Sequence, residues 1–194
     1  MPQKMLRPAF RQLKDRSNLI GVEIGIYEGT NARYFLNKLD IKQVFLIDSY
    51  MEYDAYAPKR LGSKANLERA EKLAHAILKK YSHKIRWIRK KSSEVVDEFV
   101  DNSLDFVYVD GNHAYDFVKR DMESYYPKIK KGGLLAGHDY DIKSVRKAVD
   151  EFTKIRGLKL NIKNTNEGPN IINKNKWVAA KYDWWIWKTD NAKT

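Results

Sequence analysis

Short apolar runs alternate along the chain with stretches of helical spacing, and most of the runs end in a polar residue. LIGVEI (19–24), QVFLID (43–48), KIRWIR (84–89) and LDFVYV (104–109) are each too short for a buried helix and rich in β-branched and aromatic residues. LLAGH (134–138) follows the Gly132–Gly133 turn. Between the runs, Leu67, Ala70, Leu73, Ala74, Ile77, Leu78 and Tyr81 recur at helical spacing over 64–81. Further helices are expected from Thr30, as the cap, to Leu39, from Ser92 or Ser93 with Val95, Val96, Phe99 and Val100 inward, and around 115–126 and 144–153. LKLNIKN and DWWIWK read as two more strands. Near-continuous apolar strands separated by helices predict an α/β fold, a mainly parallel sheet covered on both faces. Ligands of such sheets sit at the carboxyl ends of the strands. Glu23 and Gly25, Asp48, Asp110, and His138 with Asp139 stand at those ends.

The turn after the first strand, GVEIGIYEGT (21–30), narrows the ligand. It does not close on Gly-Lys-Ser/Thr, as a phosphate loop does, and lacks the second glycine of G-x-G-x-x-G. A pyrophosphate would have little room against its backbone. Gly25 can take backbone angles that a Cβ forbids, and Gly29 lets a helix come close. Asp48, 19 residues after Gly29, stands where a carboxylate can accept both hydroxyls of an adenosine ribose. Glu23 adds a negative charge that suits a cationic ligand better than a phosphate. S-adenosylmethionine has the ribose, an ammonium and a sulfonium, and no phosphate.

These residues resemble the class I S-adenosylmethionine-dependent methyltransferases. The E-x-G-x-x-x-G turn (Glu23, Gly25, Gly29) is similar to their first motif, and Asp48 to their ribose acid. The stretch LDFVYVDGNHAYDFVKRDMESYYPKIKKGGLLAGHDY resembles a branch of small O-methyltransferase-like proteins with D-G-x-H-x-Y, a helical Asp (here Asp121) and G-G-x-x-x-x-H-D. The resemblance runs from about 19 to 188. It implies a Rossmann-like seven-stranded, mainly parallel sheet with the last strand antiparallel and helices on both faces. Residues 1–194 are expected to be a single domain, 1–18 an extension and 19–188 the core. Cofactor contacts are expected from Glu23, Gly25, Tyr27, Gly29, Thr30, Asp48, Ser49, Ser92, Ser93 and Asp110. Family members often place an acidic or small residue after strand three, near the adenine; here Lys91 stands near that position, before Ser92 and Ser93.

A hydroxyl acceptor needs a base or a metal. Asp110, His138 and Asp139 are expected to converge beside the methyl group. They either hold a divalent cation such as Mg²⁺ or Mn²⁺, as in related metal-dependent enzymes, or supply a base, with Asp139 orienting His138. His113 is a second base candidate, and each histidine can equally be structural. DGNHAY replaces the D/N-P-P-Y/F common in enzymes that methylate base amines. The expected acceptor is therefore the hydroxyl of a small molecule or saccharide, with RNA methylation or RNA binding as the alternative. The formal charge of +12 can attract polyanions or reflect solvated lysines. The tyrosine-rich loop 50–60 is read as a lid or a packed surface loop. Trp184, Trp185 and Trp187 are read as core and dimer packing rather than sugar stacking, and a homodimer is one possible assembly. The absence of cysteine excludes disulfides and thiolate zinc sites. No run is long enough to span a membrane, and no secretory signal is evident at the start, so a cytoplasmic location is expected.

Overall fold

A computed structural model describes residues 6–52, 63–165 and 182–189. Seven strands form one sheet: β1 (Leu19–Ile24), β2 (Ile41–Ile47), β3 (Ile85–Ile88), β4 (Leu104–Val109), β5 (Ile129–Gly137), β6 (Asn161–Asn164) and β7 (Tyr182–Trp187). Their order is β3-β2-β1-β4-β5-β7-β6. The strands β1 to β5 pair in parallel, and β7 runs antiparallel to both β5 and β6. This is the Rossmann-like arrangement expected from the sequence, with the last strand inserted between β5 and β6.

Each face of the sheet carries its own core. On one, α1 (Pro8–Arg11), α2 (Thr30–Lys38) and α3 (Lys64–Leu78) bury Phe10, Phe35 and Leu78 against Phe106 and Tyr108. Phe10 stacks between Phe35 and Tyr108, with centroids 4.6 and 4.7 Å away. Leu6, Ala9, Phe10 and Leu13 are all buried, so much of the segment ahead of β1 belongs to this core. On the other face, α4 (Tyr115–Tyr125) and α5 (Lys143–Arg156) bury Val118, Met122, Val149 and Phe152 on Val107, Leu135 and Trp184.

Several local expectations are corrected. Residues 92–98 form two short 3₁₀ turns, Ser92–Glu94 and Val96–Glu98, rather than a helix. Val95 and Phe99 face the core, while Val100 is 75% exposed. Spacing at 95, 96, 99 and 100 imitates a helical face, but the tighter turns aim Val100 outward. Thr30 is the first residue of α2 rather than its cap; Gly29 caps it at φ 72°. Strand β5 starts at Ile129, so the two glycines lie within it, Gly132 at φ 70°. Leu73, expected in the core, is partly exposed. Trp184 is fully buried and Trp185 nearly so, which leaves neither a face for a sugar. Residues 53–62 of the tyrosine-rich loop lie outside the described residues.

Candidate functional site

The strand ends line up through backbone hydrogen bonds that continue each ladder by one residue. Gly25 donates to Ile47, Asp48 to Ile88, Asp110 to Ile24 and His138 to Val109. Gly25, Asp48, Asp110 and His138 thus stand in a row along the carboxyl edge of the sheet. A cleft of about 350 Å³ opens there, lined by the turn after β1, the loops after β2, β3 and β4, and the start of α4.

Conformation at the first turn is demanding. Gly25 adopts φ 86°, and a Cβ there would fall on the Asp110 carbonyl, so only glycine lets β1 and β4 end side by side. Gly29 gives room to α3, since its Cβ would press on Leu78 and Ala74. Asp48 organises this turn. Its Oδ2 accepts the amides of Ile26 (2.8 Å) and Tyr27 (3.0 Å), and its Oδ1 accepts Tyr50 N–H (2.8 Å). Two carboxylate oxygens offer about four acceptor positions, so one remains for a ligand hydroxyl. Tyr50 Oη donates to the Tyr27 carbonyl (2.9 Å), and both tyrosines hold positive φ.

Glu23 is 1% exposed. Burial, eased by a hydrogen bond from Asn31 Nδ2 (2.7 Å), pushes its carboxyl up to about 8. The charge read from the sequence is therefore largely suppressed at neutral pH. Two buried polar atoms of cleft residues have no partner among the described residues: the acceptor Glu23 Oε2 and the donor Asn112 Nδ2. Asn112 Oδ1 is committed to the Ala114 amide, ahead of α4.

The second-half strand ends bring polar groups together in pairs that differ from the expected ones. Asp139 holds φ 62°, which swings its carboxylate from its neighbour His138 toward His113. Nε2 of His113 lies 2.6 Å from Asp139 Oδ2, whereas His138 Nε2 is 4.0 Å from Asp139 Oδ1. His138 is held by Asp183 of β7 instead, Nδ1 to Oδ1 at 2.9 Å. Asp183, fully buried, also accepts Tyr108 Oη (2.9 Å) and the Ala9 amide (3.1 Å). Arg7 reaches in from the N-terminal segment, donating to Asp110 Oδ2 (2.7 Å) and Tyr108 Oη (2.8 Å).

Burial opposes a charge on His113, but the hydrogen bond and charge of Asp139 outweigh it and its pKa is raised. For Asp139 burial is likewise the largest influence, and the pull of His113 outweighs it, lowering the pKa. Burial pushes Asp110 up against the pull of Arg7. His138 is raised: burial and Arg7 disfavour its charge, and Asp183 with Asp110 and Asp139 more than offset them.

Asp110, His113 and Asp139 present three possible metal-ligating atoms within 4.8 Å of one another, with His113 in the place expected for His138. Of the residues expected at the site, Glu23, Gly25, Tyr27, Thr30, Asp48, Ser49, Ser92, Asp110, His113 and Asp139 line the cleft. Gly29, Ser93 and His138 do not. Sequence reasoning missed Arg7, Asn31 and Asp183. Arg7 and Asp183 lie outside every motif, while Asn31 follows Thr30 directly on the first turn of α2 and was open to notice.

A parallel sheet with a glycine turn and acidic strand ends around a nucleoside-sized cleft defines the class of Rossmann-like methyltransferases. Residues 22–140 match a family described as a methyltransferase domain, and the chain belongs to that family. It is 25% identical over 126 residues to the uncharacterized protein R132 of Acanthamoeba polyphaga mimivirus, covering 65% of this chain and 53% of that protein. The chain spans about half the length, or less, of the curated relatives it matches. Among solved structures it is similar to an S-adenosylmethionine-dependent O-methyltransferase from Thermotoga maritima. The TM-score is 0.64 at 13% identity, over 95% of this chain and 64% of that one. It is also similar to an rRNA methylase from Streptococcus thermophilus, with TM-score 0.61 at 14% identity, over 93% and 92%. These two likenesses concern the fold. No described helix is long and apolar enough to cross a membrane.

Proposed function

We propose that the protein is an S-adenosylmethionine-dependent methyltransferase acting on a hydroxyl of a small molecule or saccharide. The observation that carries the cofactor is the pair of orphaned buried atoms at one cleft. Glu23 Oε2 accepts and Asn112 Nδ2 donates, the complement of an amino-acid ammonium and carboxylate. The Gly25 turn and the remaining acceptor position of Asp48 suit the ribose.

Bound S-adenosylmethionine supplies a methyl group made electrophilic by its sulfonium. The chain's own residues align the acceptor behind it and remove the proton. His113, held through Nε2 by Asp139, takes the acceptor's proton, and Asp139 stabilises the imidazolium that results. Alignment contributes up to about 7–11 kcal/mol to such reactions and a positioned base about 10²–10⁴-fold in rate. His138 stands behind this pair and, through Asp183, fixes the ends of β5 and β7.

The donor set of Asp110, His113 and Asp139 is of a kind that divalent ions accept. As placed, the residues do not fit one. The Arg7 guanidinium already balances Asp110 and His113 already balances Asp139, so an ion must displace both contacts. The metal-free base is therefore the reading advanced.

Calorimetry with S-adenosylhomocysteine and NAD tests the cofactor: the first is expected to bind and the second not, and the reverse order ends the proposal. Transfer from radiolabelled S-adenosylmethionine to a panel of saccharides and phenols tests the rest. Activity is expected to persist in EDTA, to rise with pH through the raised His113 pKa, and to fall about 100-fold or more in His113→Ala. Loss in EDTA with recovery in Mn²⁺ would establish a metal instead.

RNA as acceptor is the second reading, favoured by the charge of +12 and by Lys90, Lys91 and Arg120 on the cleft wall. Tight, structure-selective RNA binding at physiological salt would promote it; weak binding that collapses with salt would not.

A further inference from the structure

Arg7 belongs to no motif, and the proposed methyl transfer gives it no role, yet it reaches the polar end of the cleft. It directly precedes Pro8, and the proline favours the extended backbone it adopts (φ −56°, ψ 147°). Behind it α1 is clamped. The Ala9 amide donates to Asp183, and Phe10 stacks between Phe35 and Tyr108. The guanidinium is thereby delivered to one place. Its Nη1 donates to Asp110 Oδ2 (2.7 Å) and to Tyr108 Oη (2.8 Å). The side chains of Arg7 and Asp110 are only 15% and 17% exposed.

We infer that Arg7 is a positioning residue that takes the charge-balancing place of a divalent ion: it holds Asp110, shuts metals out of the Asp110–His113–Asp139 group and so keeps His113 available to protons. This rests on the proposed metal-free base. Two carboxylates and an imidazole, with possible ligand atoms within 4.8 Å of one another, are a set that transition metals accept. What separates this group from a metal site is the fixed positive charge against it. An ion bound to Asp110 Oδ2 at about 2.1 Å would stand within about 5 Å of Arg7 Nη1, where a divalent and a unit charge repel strongly in a partly buried site. Arginine suits this task because it has no lone pair with which to ligate an ion and does not lose its proton to make room. An ion on His113 would take the imidazole lone pair that a base needs, since metal ligands must be deprotonated. Arg7 thus decides which chemistry the group can do: proton transfer with the guanidinium in place, ion binding without it.

The test is titration of the full chain, free of cofactor, with cobalt(II) chloride, read by visible absorption and calorimetry. The wild type is expected to show no tight Co²⁺ binding that depends on His113. Arg7→Met keeps an apolar stem and loses the charge. It is expected to bind Co²⁺ at least about 100-fold more tightly, with the absorption of an imidazole–carboxylate complex. Adding His113→Ala to that variant should abolish both signals. Arg7→Lys restores the charge and should bind as poorly as the wild type. An arginine that only fastened α1 would leave Co²⁺ affinity unchanged in the folded Arg7→Met protein, and that result overturns the inference. Equal affinity in Arg7→Lys and Arg7→Met, or tight His113-dependent binding by the wild type, overturns it too. If circular dichroism shows Arg7→Met unfolded, Arg7→Gln, which can still donate to Asp110 and Tyr108, takes its place, and the wild-type titration decides in either case. Full methyl transfer by His113→Ala would remove the proposed base but not the exclusion of metal, which is read without turnover.

Discussion

Replacing Glu23 with glutamine should make the empty protein more stable as pH rises and a poorer binder of cationic ligands. The carboxyl, 1% exposed and carrying one unpartnered oxygen, has a folded-state pKa of about 8 against an ordinary 4.5. A raised acid binds its proton more tightly in the folded state. The stability it contributes is complete below pH 4.5 and is lost as pH rises through about 8. Between pH 4.5 and pH 7, at about 1.4 kcal/mol per pH unit, the loss reaches about 3 kcal/mol, and by pH 8 it approaches about 5 kcal/mol. Glutamine has nothing to ionise and can still accept from Asn31. Its new amide donor lies where Oε2 has no partner, a pH-independent cost of about 1–3 kcal/mol. The diagnostic is therefore the slope of the difference rather than its offset. Urea denaturation of both proteins from pH 5 to pH 8.5 should show the variant gaining on the wild type by about 3 kcal/mol or more. His113 and His138 titrate in both proteins and cancel. A difference constant within about 0.5 kcal/mol over that range would refute the buried neutral carboxyl. The same group predicts that a cationic ligand expels the proton as it pairs with Glu23. Calorimetry in two buffers of different ionisation enthalpy should then show proton release near pH 7, absent in the variant.

Gly25→Ala should abolish ligand binding and destabilise the fold, because φ 86° is retained only by forcing a Cβ onto the Asp110 carbonyl; a soluble variant with wild-type affinity would contradict this. Asp48→Ala should weaken S-adenosylhomocysteine about tenfold or more, from one lost charge-assisted bond of about 1.5–3 kcal/mol, and lower the melting temperature by freeing three amides. Unchanged affinity by calorimetry would place the ribose elsewhere. Asp183→Ala strands the Ala9 amide, Tyr108 Oη and His138 Nδ1, at about 1–3 kcal/mol each. A fall in melting temperature of roughly 10 °C or more is expected by differential scanning calorimetry.

Much of the scaffold was readable because it rests on short-range patterns. Apolar runs of strand length placed β1 to β5 to within a residue at their carboxyl ends, and that edge is where the cleft opens. The glycine turn was legible because its φ demands act within a few residues. The pairing of the second-half groups was not. Adjacency in sequence suggests that Asp139 serves His138, but its left-handed φ turns it to His113. Arg7 meets Asp110 across 103 residues and Asp183 meets His138 across 45, and no local spacing encodes such contacts. The turns at 92–98 misled because apolar residues at 95, 96, 99 and 100 satisfy a helical period that tertiary packing did not use.

The hydrogen bond from the Ala9 amide to Asp183 ties one of the first described elements to the last. During synthesis Arg7, Tyr108, Asp110 and His138 all leave the ribosome before Asp183 does. Until β7 slides in between β5 and β6, His138 has no aspartate and Tyr108 lacks one of its two partners. The polar end of the cleft is therefore finished after release of β7 and not progressively with the growing chain. Exchange protection of the Ala9 amide would report that closure directly, rising with the docking of β7 and not with the earlier formation of β1, β2 and β4.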